Sequence, residues 1–380
     1  MRMQINKIWT LLMGTILTMF LAACQQQSPI VSQNISSKGQ QNVVTPSTIP
    51  TSVSTQTPLK HLKIALFLPL SGAQKDIGES LLNAIEMGYY KNPTTAVSLF
   101  PFDTQSTADG ALRAAEKASK MGINLSIGPL TAAETRATQT LSTWPVLSLS
   151  NDRTVANERT FIFGLIPDDQ VGLLAEHLKQ NNIQKAVLMA PRGAYGDIVV
   201  NLFTSRMDLF IVRYGPEDLA NPSFITDIKN QGLTNFIIAD FNPALAQIIH
   251  LLTSDGVNAR VFGLDQWRGQ STILLDDALQ GAEFAGVSQE RFDNFATLYE
   301  QNYGKKPHPV SGLAYDAIRL CLAVSDGGKP IQEVLRSTHG FLGVYGPFRL
   351  LKTGLNERKI GIYKITAGQA IQIVKPMESF

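Results

Sequence analysis

The chain has 380 residues, of which 44% are hydrophobic, 17% charged and 8% aromatic. This composition is close to that of ordinary globular proteins, and it excludes a wholly disordered chain, a collagen-like repeat and a protein with many membrane spans. The formal net charge is only +2, so the chain lacks the basic excess that would favour binding to nucleic acid. The length predicts two domains or one large α/β unit.

Residues 1–24 have the organisation of a secretion signal. Arg2 and Lys7 precede a mostly apolar run, and Leu-Ala-Ala-Cys closes the segment at Cys24. A transmembrane anchor is the alternative, but the apolar run is shorter than the ~20 residues that span a bilayer. The closing residues resemble the lipobox of bacterial lipoproteins. This resemblance implies that residues 1–23 are removed as a signal peptide and that Cys24 carries the lipid that anchors the protein to a membrane.

Residues 24–60 are predicted to form a disordered tether behind the lipidated cysteine. The segment is dominated by Gln, Ser, Thr, Asn and Pro, and such a stretch cannot bury enough apolar surface to offset the entropy lost on ordering. Gln25 follows the cysteine. By the sorting rule of Gram-negative lipoproteins, this residue implies the periplasmic side of the outer membrane if the cell has one.

From residue 61 onward the sequence alternates short apolar runs with helical stretches. The run 61–69 is almost wholly apolar and ends in Pro-Leu-Ser-Gly, as expected of a central parallel strand, and a helix is predicted over 78–90. The alternation predicts right-handed crossovers and a sheet covered by helices on both faces. After residue 303 the pattern changes to two successive helices followed by strands, which favours two lobes over one sheet.

No motif for catalysis, metal binding or cofactor binding is present. The five histidines are scattered, and the two cysteines, Cys24 and Cys321, cannot form a Cys-based zinc site. The chain lacks a Gly-x-Ser-x-Gly elbow, a P-loop and a Gly-x-Gly-x-x-Gly fingerprint. A catalytic triad assembled from distant residues is the open alternative. We therefore predict a protein that is not an enzyme and that needs no metal or cofactor.

Several short motifs resemble, in family order, the type I periplasmic solute-binding proteins of the leucine-binding kind. The motifs are Ile64–Gly72, Ile127–Thr131, Pro145–Ser148, Tyr195–Asp197, Tyr315–Ala317 and Gly346–Leu350. Within that superfamily the chain resembles most the lipoproteins called penicillin-binding-protein activators, which share the Leu-Pro-Leu-Ser-Gly opening, the Ile-Gly-Pro-Leu turn and the segment Phe262–Trp267.

The resemblance covers 61–380 and implies an α/β fold with two lobes. Each lobe would be a mainly parallel sheet flanked by helices, with three crossovers between the lobes, near 166–168, 286–288 and 344–346. Lobe one would consist of 61–166 and 288–344. Lobe two would consist of 167–286 and 346–380.

Polar turns at the strand ends predict a ligand cleft. In open α/β sheets, ligands bind beyond the carboxyl ends of the strands, where turns expose small polar groups. The candidate ligand-binding residues are Ser71, Thr131, Ser148, Ser150 and Asp152 in lobe one, and Tyr195, Asp240 and Trp267 in lobe two. The alternative is that the small residues only form turns and helix caps and that the two aromatic side chains pack in a core.

Asp152 is where the sequence departs from the amino-acid-binding members of the family. Their matching turn grips the ligand carboxylate with a Thr hydroxyl, and two carboxylates repel by about 4 kcal/mol at 4 Å in an effective dielectric of 20. The aromatic residue that usually precedes the first-helix glycine is also replaced, by Ile77. Either the ligand is not a free α-amino acid, or this turn aligns with an offset of one or two residues.

Three functions are compatible with the sequence. The first, which we expect narrowly over the second, is binding of a small polar solute for delivery to a membrane transporter. The second is regulation of peptidoglycan synthesis through contact with a penicillin-binding protein. The third is an enzyme of unknown kind, which the missing motifs disfavour. One fold supports many functions, so the fold alone does not choose among them.

Overall fold

The structure is a computed structural model that describes residues 61–240, 243–326 and 329–380, without the side chain of Asp326. These residues belong to one compact unit. The predicted signal peptide (1–23), the lipidation of Cys24 and the tether (24–60) lie outside the described residues. Within the described part, no helix has both the length and the apolar character that a membrane crossing requires.

Fifteen strands are present in the described part of the chain. They are β1 (Leu62–Leu68), β2 (Val97–Asp103), β3 (Leu125–Ile127), β4 (Val146–Ser148), β5 (Thr160–Ile162), β6 (Lys185–Pro191), β7 (Asp208–Tyr214), β8 (Asn235–Ile238), β9 (Arg260–Gly263), β10 (Glu283–Gly286), β11 (Phe341–Gly343), β12 (Gly346–Leu350), β13 (Asn356–Arg358), β14 (Gly361–Thr366) and β15 (Gln369–Val374).

Twelve α-helices are present in the same described residues. They are α1 (Lys75–Tyr90), α2 (Ala108–Ser119), α3 (Ala132–Gln139), α4 (Pro167–Gln180), α5 (Ala194–Thr204), α6 (Pro216–Ala220), α7 (Phe224–Gln231), α8 (Ala244–Ser254), α9 (Ser271–Leu274), α10 (Gln289–Tyr303), α11 (Ser311–Asp326) and α12 (Ile331–Leu335).

The first lobe contains a five-stranded sheet in the order β2-β1-β3-β4-β5, in which every pairing is parallel. Parallel strands that are covered on both faces carry continuous apolar runs, and six of the seven residues of β1 are buried. Because the strands run in one direction, their carboxyl ends and the turns that follow lie along one edge of the sheet.

The second lobe contains a seven-stranded sheet in the order β15-β14-β10-β9-β8-β6-β7. Strands β6 to β10 are parallel, whereas β14 and β15 are antiparallel additions at one edge. The two sheets confirm the predicted α/β class with mainly parallel strands.

The late helices return to the first lobe. Helix α11 packs on α1, where Ser80 Oγ and Ser311 Oγ are 2.8 Å apart and a Cβ at Gly88 would lie 2.6 Å from the Ile318 methyl group. Strands β11, β12 and β13 form a separate antiparallel sheet. The exact lobe boundaries stay a prediction, because this small sheet extends across residue 345, where the two lobes were predicted to divide.

Buried side chains of β13 hold the first connection between the lobes. Asn356 Nδ2 donates hydrogen bonds to the carbonyl oxygens of Ile162 and Gly164, at 2.8 and 3.0 Å. The buried Arg358 guanidinium donates to the Phe163 carbonyl oxygen at 2.9 Å. The Arg358 backbone N–H donates to the Asp169 carboxylate at 2.7 Å. Two buried side chains thereby join the small sheet to the chain as it leaves the first lobe.

Buried carboxylates hold the other two connections. Asp265 accepts a hydrogen bond from Val287 N–H at 3.0 Å, and Asp316 accepts from Val344 N–H at 2.9 Å. Burial raises the pKa of Asp316 to about 7 and that of Asp169 to about 6. All three connections are therefore fixed by polar side chains that are shielded from solvent.

Candidate functional site

Ser71 is held by the end of the neighbouring strand β2. Its backbone N–H and its hydroxyl donate hydrogen bonds to the Asp103 carboxylate, at 3.1 and 2.6 Å, and Gln105 N–H donates to the same carboxylate at 2.8 Å. Partial burial acts to raise the pKa of Asp103, but the hydrogen bonds from Ser71 and Gln105 outweigh it and lower that pKa. The Ser71 hydroxyl therefore already donates its hydrogen bond to a group within the protein.

Thr131 is the N-cap of α3 and forms a capping box with Glu134. Its N–H and hydroxyl donate to the Glu134 carboxylate at 2.9 and 2.8 Å, and Glu134 N–H donates back to Thr131 Oγ1 at 3.3 Å. The second Glu134 oxygen accepts a 2.6 Å hydrogen bond from Thr104 Oγ1. Glu134 is only 1% exposed. Thr131 thus has the structural role of a helix cap.

Ser148 ends β4 and Ser150 lies in the turn that follows; both are buried. Ser148 Oγ lies 2.7 Å from Thr135 Oγ1 and accepts a 3.3 Å hydrogen bond from Ser150 N–H. Ser150 Oγ accepts a 3.1 Å hydrogen bond from Asp152 N–H. Each serine hydroxyl therefore accepts a hydrogen bond from the backbone N–H two residues further along the turn.

The Asp152 carboxylate is balanced by charge and by hydrogen bonds. It forms an ion pair with Arg136 at 2.9 Å, and it accepts hydrogen bonds from Thr154 N–H and Oγ1 at 2.9 and 2.6 Å. Slight burial acts to raise the pKa of Asp152, but Thr154 and Arg136 outweigh it and lower that pKa. Asp152 is therefore ionised at neutral pH and caps the short 3-10 turn that follows.

The structure links four of the predicted residues into one polar network at the edge of the first sheet, here called the edge network: Thr131, Ser148, Ser150 and Asp152, joined by Glu134, Thr135 and Arg136. Thr135 makes the central link, since its hydroxyl contacts both the Thr131 carbonyl oxygen and Ser148 Oγ. Sequence reasoning missed the three joining residues. The pattern Thr131-x-x-Glu134 could have revealed the first, whereas no local pattern pairs Arg136 with Asp152.

In the second lobe, Tyr195 and Asp240 lie after β6 and β8. Tyr195 is half-buried, and burial raises the pKa of its phenol. The Asp240 carboxylate accepts a 2.7 Å hydrogen bond from the Tyr214 hydroxyl. Burial, reinforced by that bond, raises the pKa of Tyr214.

Trp267 is fully buried in the core of the second lobe. Its ring lies against Gly263, where a Cβ would come within 2.2 Å of the indole, and its centroid is 6.1 Å from that of Phe284. Its Nε1 donates a 2.9 Å hydrogen bond to the Asp240 carbonyl oxygen. The structure thus brings Trp267 and Asp240 together, but with the tryptophan ring in the core and not on a cleft wall.

The described residues contain no cluster of three or more His, Cys, Asp or Glu side chains that could hold a metal ion. Cys321 is buried, and burial raises the pKa of its thiol. The chemistry that the strand-end residues offer is hydrogen bonding and charge pairing.

A family model described as "Periplasmic binding protein" matches residues 61–370. The chain belongs to this family. The match covers strands β1 to β14 and the first two residues of β15, so the predicted superfamily is confirmed over the folded body.

Two curated relatives bear the name "Penicillin-binding protein activator LpoA". The protein from Mannheimia succiniciproducens is 22% identical over 342 residues, covering 85% of this chain and 57% of the relative. The protein from Glaesserella parasuis is 30% identical over 147 residues, covering 38% of this chain and 25% of the relative. The chain therefore spans between a quarter and just over half of these relatives.

Solved structures of two functional kinds share the fold. A putative branched-chain amino acid ABC transporter protein from Rhodospirillum rubrum matches with a TM-score of 0.73 and 17% identity, covering 82% of this chain and 99% of that one. The LpoA C-domain from Haemophilus influenzae, described as a regulator of PBP1A, matches with a TM-score of 0.65 and 18% identity, covering 82% and 100%. At these identities the likeness concerns the fold alone, and it confirms the predicted two-lobed type I class.

Proposed function

We propose that this chain is a non-enzymatic protein of the cell envelope that regulates peptidoglycan synthesis through contact with a penicillin-binding protein. The observation that carries the proposal is the edge network. Four of the five first-lobe side chains expected to grip a solute are held in this network, and Asp152 is an ionised carboxylate already paired with Arg136. A ligand would have to break these internal hydrogen bonds to use the same groups.

The connections between the lobes support the same proposal. A solute-binding protein of this fold works by hinge closure, which needs residues that can change backbone conformation at low cost. Here Asn356, Arg358 and Asp316 bind the connections from buried positions. Moving them would expose or unpair buried charges, which is costly. A protein whose lobes are held in a fixed arrangement is better suited to contact with another protein than to closing around a solute.

The alternative is binding of a small polar solute and delivery to a transporter. It is favoured by the second-lobe residues Tyr195 and Asp240, which lie at strand ends as the family fold requires, and by the amino-acid transport proteins among the structural neighbours. We place it second because the first-lobe half of that site is internally paired.

One experiment separates the two functions. The purified full-length chain is added to the penicillin-binding proteins of the same organism while the rate of peptidoglycan synthesis is measured, and calorimetry is run in parallel with a panel of amino acids. We expect a change in synthesis rate and no heat of binding. Heat from an amino acid, together with an unchanged synthesis rate, would favour the solute-binding alternative. Asp152→Thr is the matched variant, since it removes the carboxylate that repels a ligand carboxylate.

The location belongs to the same proposal. The family and the two relatives support an envelope protein, and the Leu-Ala-Ala-Cys ending adds a lipid on Cys24 with a tether over 24–60. Mass spectrometry of the mature N-terminus should find an acylated cysteine. A Cys24→Ala variant that is still cleaved at the same bond and still partitions to membranes would contradict this assignment.

A further inference from the structure

A cavity of about 520 Å³ opens on the first lobe, separate from the predicted cleft. Its walls come from the end of α1, from α10 and α11, and from β11. None of the eight predicted ligand-binding residues lines it. Its size falls within the range of about 300–1,000 Å³ in which ligands are held. We call it the outer cavity.

Three cationic side chains line the outer cavity: Lys91, Arg291 and Arg319. No ion pair or side-chain hydrogen bond is recorded for any of them among the described residues. Every other arginine of the described part has such a partner, as Arg136 has Asp152, except the exposed Arg159. Two of the three unpaired arginines of the described part therefore meet at one cavity.

The rim of the outer cavity is apolar. Leu342 is 63% exposed and Leu298 is 45% exposed, and both line the cavity beside Phe341 and Phe295. Exposed apolar side chains grouped at a concave surface are typical of interaction sites. The combination of an apolar rim with unpaired cations is complementary to an apolar side chain flanked by carboxylates.

The acidic residue that lines the outer cavity, Asp316, is directed to the protein and not to a ligand. It is 4% exposed, and both of its carboxylate oxygens lie 2.9 Å from Val344 N. The positive charge of Arg291 acts to lower the pKa of Asp316, although the two side chains form no ion pair. None of the three cations therefore forms an ion pair with Asp316, the carboxylate among the described residues that line the cavity.

We propose that the outer cavity is the docking site for an acidic, apolar segment of the partner protein, in which leucine-like side chains alternate with carboxylates. The inference rests on the proposed function for the identity of the partner but not for the chemistry of the segment. The apolar side chains enter between Leu298 and Leu342, and the carboxylates pair with Arg291, Arg319 and Lys91.

The test uses the full-length chain and two short synthetic peptides, one of alternating glutamate and leucine and one of alternating lysine and leucine, followed by fluorescence anisotropy. We expect binding of the glutamate peptide alone. The Arg291→Glu/Arg319→Glu double variant should weaken it at least about tenfold, because two attractions become repulsions. Arg159→Glu is the matched control, since it reverses an exposed, unpaired arginine elsewhere, and it should leave the affinity unchanged.

Two outcomes would overturn the site. Equal affinity of the glutamate peptide for the wild type and the double variant would exclude the cavity, and displacement of the peptide by octanoate at equal concentration would reassign the cavity to small acids. If the double variant fails to fold, Lys91→Glu gives the same comparison at one exposed position.

A parallel binding assay with penicillin-binding proteins distinguishes a failure of the docking site from a failure of the proposed function. The penicillin-binding proteins of the same organism are tested against the same variants. If they bind wild type and double variant equally, the docking site is wrong and the proposed function stands. If the peptide binds in the charge-dependent manner but no penicillin-binding protein does, the site stands and the proposed partner is wrong.

Discussion

The edge network and the outer cavity both contain charged side chains; those of the first region are paired within the protein, whereas the cations of the second are unpaired among the described residues. At the edge of the first sheet, Glu134 and Asp152 are each bonded to several neighbours. At the outer cavity, Arg291 and Arg319 have no such partner within the described residues. A polar group that is already paired inside the protein contributes to the fold, whereas an unpaired cation beside an apolar rim is available to another molecule. The edge network, which contains residues predicted to bind a ligand, therefore serves mainly to stabilise the fold.

The largest test of this contrast concerns Trp267, a predicted site residue that lies in the core. We expect Trp267→Ala to lower the free energy of unfolding by about 3–5 kcal/mol, because the change leaves a large cavity and removes a hydrogen bond to Asp240. Urea unfolding at neutral pH measures the loss. Trp267→Phe is the matched control and should lose clearly less, since it keeps most of the buried ring. Unfolding of the alanine variant at the wild-type urea concentration would show that the ring stands free in a cleft.

The second test removes Glu134, one of the three residues that join the edge network. Glu134→Ala should lower the free energy of unfolding by roughly 2–3 kcal/mol, because the buried Thr104 hydroxyl and the partly buried N–H and hydroxyl of Thr131 would lose their acceptor. Glu134→Gln keeps an acceptor and should lose less. Thermal unfolding followed by circular dichroism gives both values. A neutral effect of the alanine substitution would mean that the edge network contributes little to the fold.

Much of the fold could be predicted from the sequence because its signals are local. The apolar run at 61–69 contains β1, and the alternation of strands and helices corresponds to two mainly parallel sheets. Strand β7 was missed although residues 209–212 are apolar; it is an edge strand with mixed burial. Helices α6 and α7 were also missed; they are short, at five and eight residues.

The sites were harder to predict because they depend on contacts between distant residues. Turn residues placed Ser148 and Ser150 at the correct sheet edge, but whether a hydroxyl faces solvent or Thr135 is decided by packing. The outer cavity brings together Lys91 and Arg291, which are far apart in the chain. No periodicity or motif marks such a pair.

The third test uses pH at the base of the outer cavity. The pKa of Asp316 is raised from 3.8 to about 7 by burial, so between those values the folded state binds a proton that the unfolded state has released. Stability therefore falls as the pH rises from about 4 to 7. Asp316→Asn, which cannot ionise, should reduce this fall by on the order of a few kcal/mol, since one pKa unit corresponds to about 1.4 kcal/mol. Urea unfolding at several pH values measures it, and parallel curves for the two proteins would contradict the assignment. Asp169, with its pKa raised to about 6, contributes in the same direction and remains in both.

The smallest expected effect is the sharpest test of the contrast between the two regions. If Arg291 and Arg319 are kept for a partner, replacing both with alanine should change the free energy of unfolding by less than about 0.5 kcal/mol, because no ion pair or side-chain hydrogen bond among the described residues is lost. Relief of repulsion between neighbouring cations could even raise stability slightly. Arg136→Ala is the matched control, since it breaks the exposed pair with Asp152 and should lose up to about 1 kcal/mol. Urea unfolding at low salt, where surface charges are least screened, gives the widest separation. A loss at the cavity larger than the loss at Arg136 would mean that these arginines serve the fold, and the two regions would then be alike.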